Sequence, residues 1–393
     1  MAMFETPQVW PATDFLPTAG IPGNGWSIDP FVFNDGFYNT WRITSPVGTF
    51  QALGNERMVE MIREIQAIEQ LQSVSRTREF AEAMRDAGQA QLDSAVRVLR
   101  NPVSTVASIP RGAGRFLGAV GSSIGNAARG ELQTDASAGD AAARLLGIDR
   151  AKRALAASLG VNPYSTNPVL QEQLSEVARV QSMGRLAMNL GTMIVVPVGL
   201  GNALIGIRVS DALTQDQINS DPRDLAVANR ARIVRMGASA ADADALMSNP
   251  WFDPWTLTAM LNALEQVQGV QMGAFLRFAR DAGTETDAFF FMRNAQIMAQ
   301  FHRQNTPITG LIPLNHTVAC QLHGGGLMLP IWLDFAIWTQ DAAQAVSNLL
   351  ASAAASQSSP ITVVTTGFFS PIATEQIQSH GIQILPAFFQ APR

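Results

Sequence analysis

Cysteine is almost absent from this chain of 393 residues, which contains Cys320 and no other. A disulfide bond within the chain is therefore excluded, and packing and hydrogen bonds must hold the fold together. The first ten residues have neither the basic start nor the apolar stretch of a secretory signal. We therefore expect no signal peptide in this chain, whereas its compartment, including an association with the cell envelope, stays open.

Charge is also scarce. Charged residues make up 15% of the chain, against about a quarter in a typical soluble protein. The net charge of -5 and the lack of a basic stripe argue against nucleic acid as a partner, because phosphate contacts require clustered Lys and Arg. So few charges predict that much of the surface is hidden in contacts or covered by uncharged polar side chains.

Only one stretch is long and apolar enough to raise the question of a membrane. The 22 residues 186–207 carry no charge and lie between Arg185 and Arg208. A spanning helix needs about 20 apolar residues, but Pro197 and several glycines would interrupt it. The composition favours a buried helical hairpin, with a spanning or re-entrant segment and a segment inserted on contact with a target as the alternatives.

Catalytic sequence motifs are lacking as well. The chain has no Gly-x-Ser-x-Gly, no phosphate-binding loop, no His-Glu-x-x-His and no Gly-x-Gly-x-x-Gly. We therefore expect no cofactor, assign no catalytic residue, and lean against an enzyme.

One cluster could still carry chemistry. All four histidines and the only cysteine fall within the last 92 residues. His316, Cys320 and His323 are candidate zinc ligands, because imidazole and thiolate are the groups that zinc prefers. On a strand, however, residues 316 and 320 share one face and residue 323 points to the other. A Cys-His nucleophile pair is the second interpretation of the same residues.

The first 50 residues are rich in proline and aromatic residues and show neither helical nor strand periodicity. A disordered arm would be poor in aromatic residues. We therefore predict an irregular arm over residues 1–50 that packs against its own helices or a neighbouring subunit. The candidate interface residues are Trp10, Trp26, Phe31, Phe33, Tyr38 and Trp41.

Residues 51–305 are predicted to be mainly helical. Apolar residues recur at helical spacing from Met58 to Ile68, and a second helical run covers Thr77 to Leu99. The predicted parts are a helical hairpin followed by a Gly- and Ala-rich segment (51–130), a linker (131–142) and a helical domain (143–305). Residues 103–130 contain arginines among scattered apolar residues, which is also compatible with binding to an anionic membrane surface.

Residues 306–393 change to a ββαβαβ pattern. The predicted elements are strands at Thr317–Leu322 and Leu327–Leu333, a helix at Ala336–Ala355, a strand at Ile361–Thr365, a helix opening at Ser370 and a strand at Ile382–Leu385. Thr366, Gly367 and Ser370 follow an apolar strand and precede a helix, which is where α/β sheets bind ligands. They are the candidate ligand-binding residues.

The sequence thus predicts an α+β protein, with a mainly helical N-terminal two-thirds built of helical hairpins and a small C-terminal α/β domain. Between Arg303 and Arg393 there is no Lys or Arg, and only three residues are acidic. A domain with so few charges must be largely covered. We expect a non-enzymatic structural, assembly or interaction protein that forms a homo-oligomer or binds a protein partner. The alternatives are a membrane-active protein and a hydrolase or metal protein using the His and Cys cluster.

Overall fold

The computed structural model describes residues 4–16, 25–78, 80–81, 150–182 and 208–389. Within these ranges the protein is a mixture of helices and sheets, in agreement with the predicted α+β class. The segments 103–130 and 186–207 and the predicted linker 131–142 lie outside the described residues. No helix of the described part is long and apolar enough to cross a membrane.

Five short strands occupy the N-terminal segment. They are β1 (Gln8–Pro11), β2 (Ser27–Ile28), β3 (Phe31–Asn34), β4 (Asn39–Ser45) and β5 (Gly48–Leu53). They form an antiparallel sheet in the order β1-β3-β4-β2, with β5 paired to β4. The prediction of an irregular arm is therefore wrong for the described part of residues 1–50.

The pattern of β3 explains why this strand was not recognised in the sequence. Phe31 and Phe33 are exposed, whereas Val32 between them is buried. Because apolar residues stand on both faces, the alternation of apolar and polar residues that marks a strand is missing.

Helix α1 (Asn55–Ser75) packs against this sheet. Its first half contributes Met58, Ile62 and Ile65 to the core that contains Trp41 and Ile43 of β4. The predicted first helix of the 51–130 hairpin is thus present. The predicted second helix, Thr77–Leu99, lies almost entirely outside the described residues.

The second half of α1 enters a different core. Ile68 and Leu71 pack there with two further helices, the helical residues 150–159 (α2) and α3 (Pro168–Ser182). Phe80, one of the few described residues of the predicted second helix, is also buried in this core. The predicted layout of N-terminal helical hairpins is not confirmed.

Six helices follow between residues 215 and 304. They are α4 (Gln215–Asn219), α5 (Pro222–Arg235), α6 (Ala240–Met247), α7 (Pro254–Glu265), α8 (Gly273–Ala279) and α9 (Glu285–Gln304). Polar residues set several of the starts: Asp221 and Asp253 accept backbone N–H groups in the first turns of α5 and α7, each followed by proline at the first helical position. Helix α9 is buried along most of its length and packs closely against α7.

Strands and helices alternate in the C-terminal part. The elements are β6 (Ile308–Leu314), β7 (Thr317–Leu322), β8 (Leu327–Ile331), β9 (Phe335–Ala336), α10 (Gln340–Ala355), β10 (Ile361–Thr365), β11 (Phe368–Phe369), α11 (Pro371–Ser379) and β12 (Ile382–Leu385). Each of the six predicted elements is present, but the helix predicted from Ala336 begins at Gln340, and Ala336 belongs to strand β9. Strand β6 was missed because Gly310 and Pro313 lower its strand propensity, and such residues are tolerated at an edge position.

The main C-terminal sheet has the order β12-β10-β8-β7-β6. Strands β8, β10 and β12 are parallel, and β7 is antiparallel to both of its neighbours, β6 and β8. Val318 and Cys320 of β7 point into the core built by the central helices, whereas Ala319 faces the core that α10 and α11 cover. Because both faces of the sheet are covered, its strands need few charges.

Candidate functional site

The carboxyl ends of the parallel strands β8 and β10 meet at one edge of the C-terminal sheet, the usual ligand position in such sheets. The predicted ligand residues Thr366, Gly367 and Ser370 lie here, beside the segment 332–338 that follows β8. The structure therefore brings the three residues to one place.

Two of the three are engaged with the neighbouring backbone. The Thr366 hydroxyl donates to the carbonyl oxygen of Leu333 at 2.8 Å and accepts the N–H of Leu333 at 3.2 Å. A Cβ atom added at Gly367 would lie 2.1 Å from the carbonyl oxygen of Asp334. Residue 367 must be glycine because two backbones touch here, which leaves no space for a ligand between them.

The third residue, Ser370, holds a carboxylate from the same chain. Its hydroxyl accepts the N–H of Ala373 at 3.0 Å, which caps α11, and donates to Glu5 Oε2 at 2.5 Å. The N–H of Trp338 donates to the same oxygen at 2.7 Å, and the N–H of Glu5 donates to the Trp338 carbonyl at 2.8 Å. The N-terminal segment thus fills the position that the sequence assigned to a ligand.

A second piece of the chain, the turn between β3 and β4, also lies over the strand ends. The Phe37 carbonyl accepts the N–H groups of Asp334 and Phe335 at 3.0 and 3.2 Å. The Gly36 carbonyl accepts the N–H of Ile337 at 3.1 Å. The N-terminal sheet and the C-terminal domain are therefore joined backbone to backbone.

Asp334 is the buried charge at this junction. Its Oδ2 accepts the N–H of Asn39 at 2.9 Å, and its Oδ1 accepts the N–H of Asn55 at 2.9 Å. Asn55 is the first residue of α1, so a side chain of the C-terminal domain caps an N-terminal helix. Burial raises the pKa of Asp334 to about 7, in spite of the two N–H donors, and nearby Glu56 adds to the rise.

The C-terminal tail is the third piece that covers the strand ends. The N–H of Phe388 donates to the Thr365 carbonyl at 2.9 Å, and the N–H of Ala387 donates to the Gly367 carbonyl at 3.1 Å. Phe389 places its ring 4.4 Å from the guanidinium of Arg293. With Glu5 and the β3-β4 turn, the tail completes a cover made by the chain itself.

A row of ion pairs joins α1 to α9, and it is not among the features predicted from the sequence. Arg57 contacts Glu60 and Glu285 at 2.5 Å each, and its guanidinium lies 5.4 Å from the ring centroid of Phe289. Arg293, which is only 1% exposed, pairs with Glu56 at 2.7 Å. The available signal was the three- and four-residue spacing of charges between the apolar positions of α1, but the partners on α9 come from a distant part of the sequence.

Glu64 extends this row into the protein. Its side chain is buried and accepts the Asn167 amide at 3.0 Å. Burial raises its pKa to about 7, and the charge of Glu60 adds to the rise. Burial also raises the pKa of Glu60, although Arg57 opposes this. The row thus contains two carboxyl groups that bind protons more strongly than ordinary glutamates, with helices on both sides.

The predicted metal ligands are not brought together. His316 and His323 are exposed just before and just after the six-residue strand β7, and Cys320 is fully buried between them. Burial raises the pKa of the Cys320 thiol, which makes a thiolate less accessible. Among the described residues, no group of three or more His, Cys, Asp or Glu side chains is arranged to hold a metal ion.

The six aromatic interface candidates divide into two groups. Trp41 and Trp26 are buried in the sheet core, Trp10 contacts Phe335, and the Tyr38 hydroxyl donates to the Trp332 carbonyl at 2.9 Å. These four pack within the chain. Phe31 and Phe33 instead point outward and are 63% and 45% exposed.

The two exposed phenylalanines are part of a larger apolar surface on the N-terminal sheet. In the β1-β3 pairing, Val9 lies opposite Phe33 and Pro11 lies opposite Phe31, and both β1 residues are exposed. Residues that face each other in an antiparallel pair share one face of the sheet. We name this surface, Val9, Pro11, Phe31 and Phe33, the outer patch.

Searches against protein families, curated proteins and solved structures found no match to this chain.

Proposed function

We propose that this chain is a non-enzymatic structural, assembly or interaction protein, and that the outer patch is its contact surface for a second copy or a protein partner. One observation carries the proposal. Of the eight large apolar side chains that are exposed in the described part of the chain, Val9, Phe31 and Phe33 are neighbours on two paired strands.

The surroundings of the outer patch support a contact role. The same face continues over β4 and β5 with five polar side chains, Thr40, Arg42, Thr44, Thr49 and Gln51, and one partly buried apolar side chain, Leu53. Apolar surface with a polar border on one side is typical of protein contact sites.

The strand order adds a second argument. In the described part, β1 pairs with β3 alone and stands at the edge of its sheet. An edge strand presents unpaired N–H and C=O groups to which another chain can bind. The patch and the free edge lie side by side, so one partner could use both.

The strand ends of the C-terminal domain support a non-enzymatic role. Glu5, the β3-β4 turn and the tail cover the position at which an α/β sheet would bind a substrate. The membrane-active alternative depends on residues 103–130 and 186–207, which lie outside the described residues, and it stays a prediction.

The proposal predicts that the full chain is not a stable monomer. The test is size-exclusion chromatography with light scattering on the chain and on the double variant Phe31→Ser/Phe33→Ser. A buried phenylalanine contributes up to about 2 kcal/mol, or roughly 30-fold in Kd, so we expect the double variant to dissociate at concentrations where the parent chain stays associated.

The matched control is Val227→Ser/Val234→Ser. These two valines of α5 are 62% and 40% exposed, and their replacement should leave the association unchanged. A monodisperse monomer of the parent chain over a wide concentration range would overturn the proposed function. If the double phenylalanine variant still associates, the outer patch is not the contact surface.

A further inference from the structure

The first described segment, residues 4–16, binds the rest of the protein much as a peptide binds a receptor. We name it the arm. Strand β1 of the arm pairs with β3 along four residues, from Gln8 opposite Asn34 to Pro11 opposite Phe31. Such strand addition is a general way for one chain to bind an extended segment of another.

The arm is also fixed at both ends. At its start, Glu5 accepts the Trp338 N–H and the Ser370 hydroxyl. At its end, Ala12 and Leu16 are fully buried in the core of the N-terminal sheet, and the N–H of Ala12 donates to the Pro30 carbonyl at 2.8 Å. The Glu5 carboxylate, strand β1 and the buried side chains of Ala12 and Leu16 therefore contact three different parts of one surface.

Aromatic contacts connect these anchors. Trp10 and Phe15 of the arm both meet the ring of Phe335 edge to face, with centroids 5.8 and 5.6 Å apart. Phe335 belongs to β9, beside the Asp334 junction. The surface that receives the arm, which we name the receptor surface, is thus made by the N-terminal sheet and the C-terminal domain together.

The covalent connection of the arm to this surface is long. Eight residues, 17–24, separate Leu16 from Gly25, and they include Pro17 and Pro22. A chain of this length can reach up to about 30 Å when extended. The contacts of the arm therefore do not require that the arm and its receptor surface belong to the same molecule.

We propose that the arm of one copy docks on the receptor surface of a second copy, so that the chain assembles by exchanging residues 4–16. The occupant of the surface is the arm of another copy of this chain. This inference rests on the proposed function, because it presumes assembly. Exchange preserves every contact of the arm, and its main cost is the entropy of association, which makes exchange a low-cost route to a dimer.

The test uses the full chain with the double variant Val9→Cys/Phe33→Cys. The two positions are exposed and directly opposite in the β1-β3 pairing. Opposite residues of antiparallel strands have Cα atoms about 4.5 to 5.5 Å apart, which is within disulfide range. The native Cys320 is fully buried and should not compete.

Arm exchange predicts that the oxidised double variant runs as a covalent dimer on a denaturing gel without reductant and as a monomer with reductant. An arm held by its own chain gives a monomer with an internal disulfide, and that result overturns the proposal. A short bifunctional thiol reagent, read by peptide mass spectrometry, provides the same distinction if the strand geometry disfavours the disulfide.

The single variants Val9→Cys and Phe33→Cys are the controls. Arm exchange brings residue 9 of one copy opposite residue 33 of the other, so the double variant should give more covalent dimer than either single variant. A dimer from one cysteine alone would indicate direct contact between two outer patches, which belongs to the proposed function; a double variant that gives no more dimer than the single variants would overturn exchange. If light scattering shows association but the double variant gives no covalent dimer, exchange is overturned and the proposed function stands. If light scattering shows a monomer and the gel shows no covalent dimer, both exchange and the proposed function are overturned.

Discussion

At the scale of single residues, Asp334 has the widest influence. Its two carboxylate oxygens accept N–H groups from Asn39 in the N-terminal sheet and Asn55 at the start of α1. Both donors would be buried and unsatisfied without it. One side chain of the C-terminal domain therefore holds two N-terminal elements in place.

Replacement of Asp334 by alanine should destabilise the protein by about 2 to 4 kcal/mol, because each buried donor without a partner costs about 1 to 3 kcal/mol and the relief of burying a carboxylate offsets part of this. Urea unfolding followed by circular dichroism measures the change. The matched control is Asp29→Ala, whose side chain is 44% exposed and lies 3.9 Å from Arg42. We expect a change within about 0.5 kcal/mol there, and equal effects of the two variants would contradict the role given to Asp334.

The buried carboxyl groups also predict how stability depends on pH. The pKa values of Asp334 and Glu64 are raised to about 7 by burial, above about 4 in an unfolded chain. The folded state therefore binds more protons between these values. Their contribution to stability is fully present below about pH 4 and is lost as the pH rises through about 7.

The contribution of these two groups to the free energy of unfolding should consequently fall as the pH rises from about 4.5 to about 7.5. Each group contributes a slope of up to about 1.4 kcal/mol per pH unit. The variant Glu64→Gln removes one titrating group and should flatten the curve. The control Glu265→Gln changes an acid that is 40% exposed and pairs with Arg232, and it should leave the slope in place. A Glu64→Gln curve parallel to the parent curve would contradict the assignment.

At the scale of elements, α1 connects the parts of the protein. Its first half packs under the N-terminal sheet, and its second half packs with α2 and α3. Its charged positions reach α9 through Arg57 and Glu56. Because these contacts lie on different faces, α1 can position the sheet and the helical layer at once.

The Arg293 pair tests the link between α1 and α9. Arg293→Met would leave Glu56 without its partner in a buried setting, which should cost about 3 to 5 kcal/mol. Adding Glu56→Gln should recover part of that loss, because no charge then remains unpaired. Chemical unfolding of both single variants and the double variant gives the coupling. Arg230→Met, at an exposed pair with Asp244, should have little effect, and additive losses at the buried pair would argue against coupling.

At the scale of the whole molecule, the N-terminal and C-terminal sheets are held by shared hydrogen bonds. The Asn55–Asp334 contact joins residues 279 apart, and the Glu5–Ser370 contact joins residues 365 apart. Because each contact needs both of its partners in place, unfolding of one sheet would also remove hydrogen bonds of the other. The low charge of residues 304–392 fits this arrangement, since helices and the N-terminal segment cover the C-terminal sheet.

We therefore expect the two sheets to unfold in one cooperative transition. Tryptophan fluorescence sums the signals of seven tryptophans, among them Trp26 and Trp41 in one part and Trp332 and Trp338 in the other. It should change together with far-ultraviolet circular dichroism in urea. Asp334→Ala should lower the common midpoint. Two separated transitions in the parent chain would mean that the junction contributes little.

The sequence by itself determined much of the local structure. The apolar spacing of α1, the Ser370 cap with Pro371, and the strands β7, β8, β10 and β12 follow the patterns that predicted them, because these signals depend on residues a few positions apart. Strands β6, β9 and β11 were not predicted. Strand β3 escaped prediction because Phe31 and Phe33 stand on the outer face and remove the alternation that identifies a strand. Strands β4 and β5 do alternate, with Trp41, Ile43, Phe50 and Ala52 buried between polar residues, and this local signal was overlooked.

The tertiary structure alone decided which groups meet. The sequence pointed to Thr366, Gly367 and Ser370 as a ligand position, but only the fold places Glu5 and the β3-β4 turn over it. The same holds for Asp334 with Asn55 and for Arg293 with Glu56. These pairs join residues more than 200 positions apart, and no local periodicity records a contact that forms only when distant elements pack together.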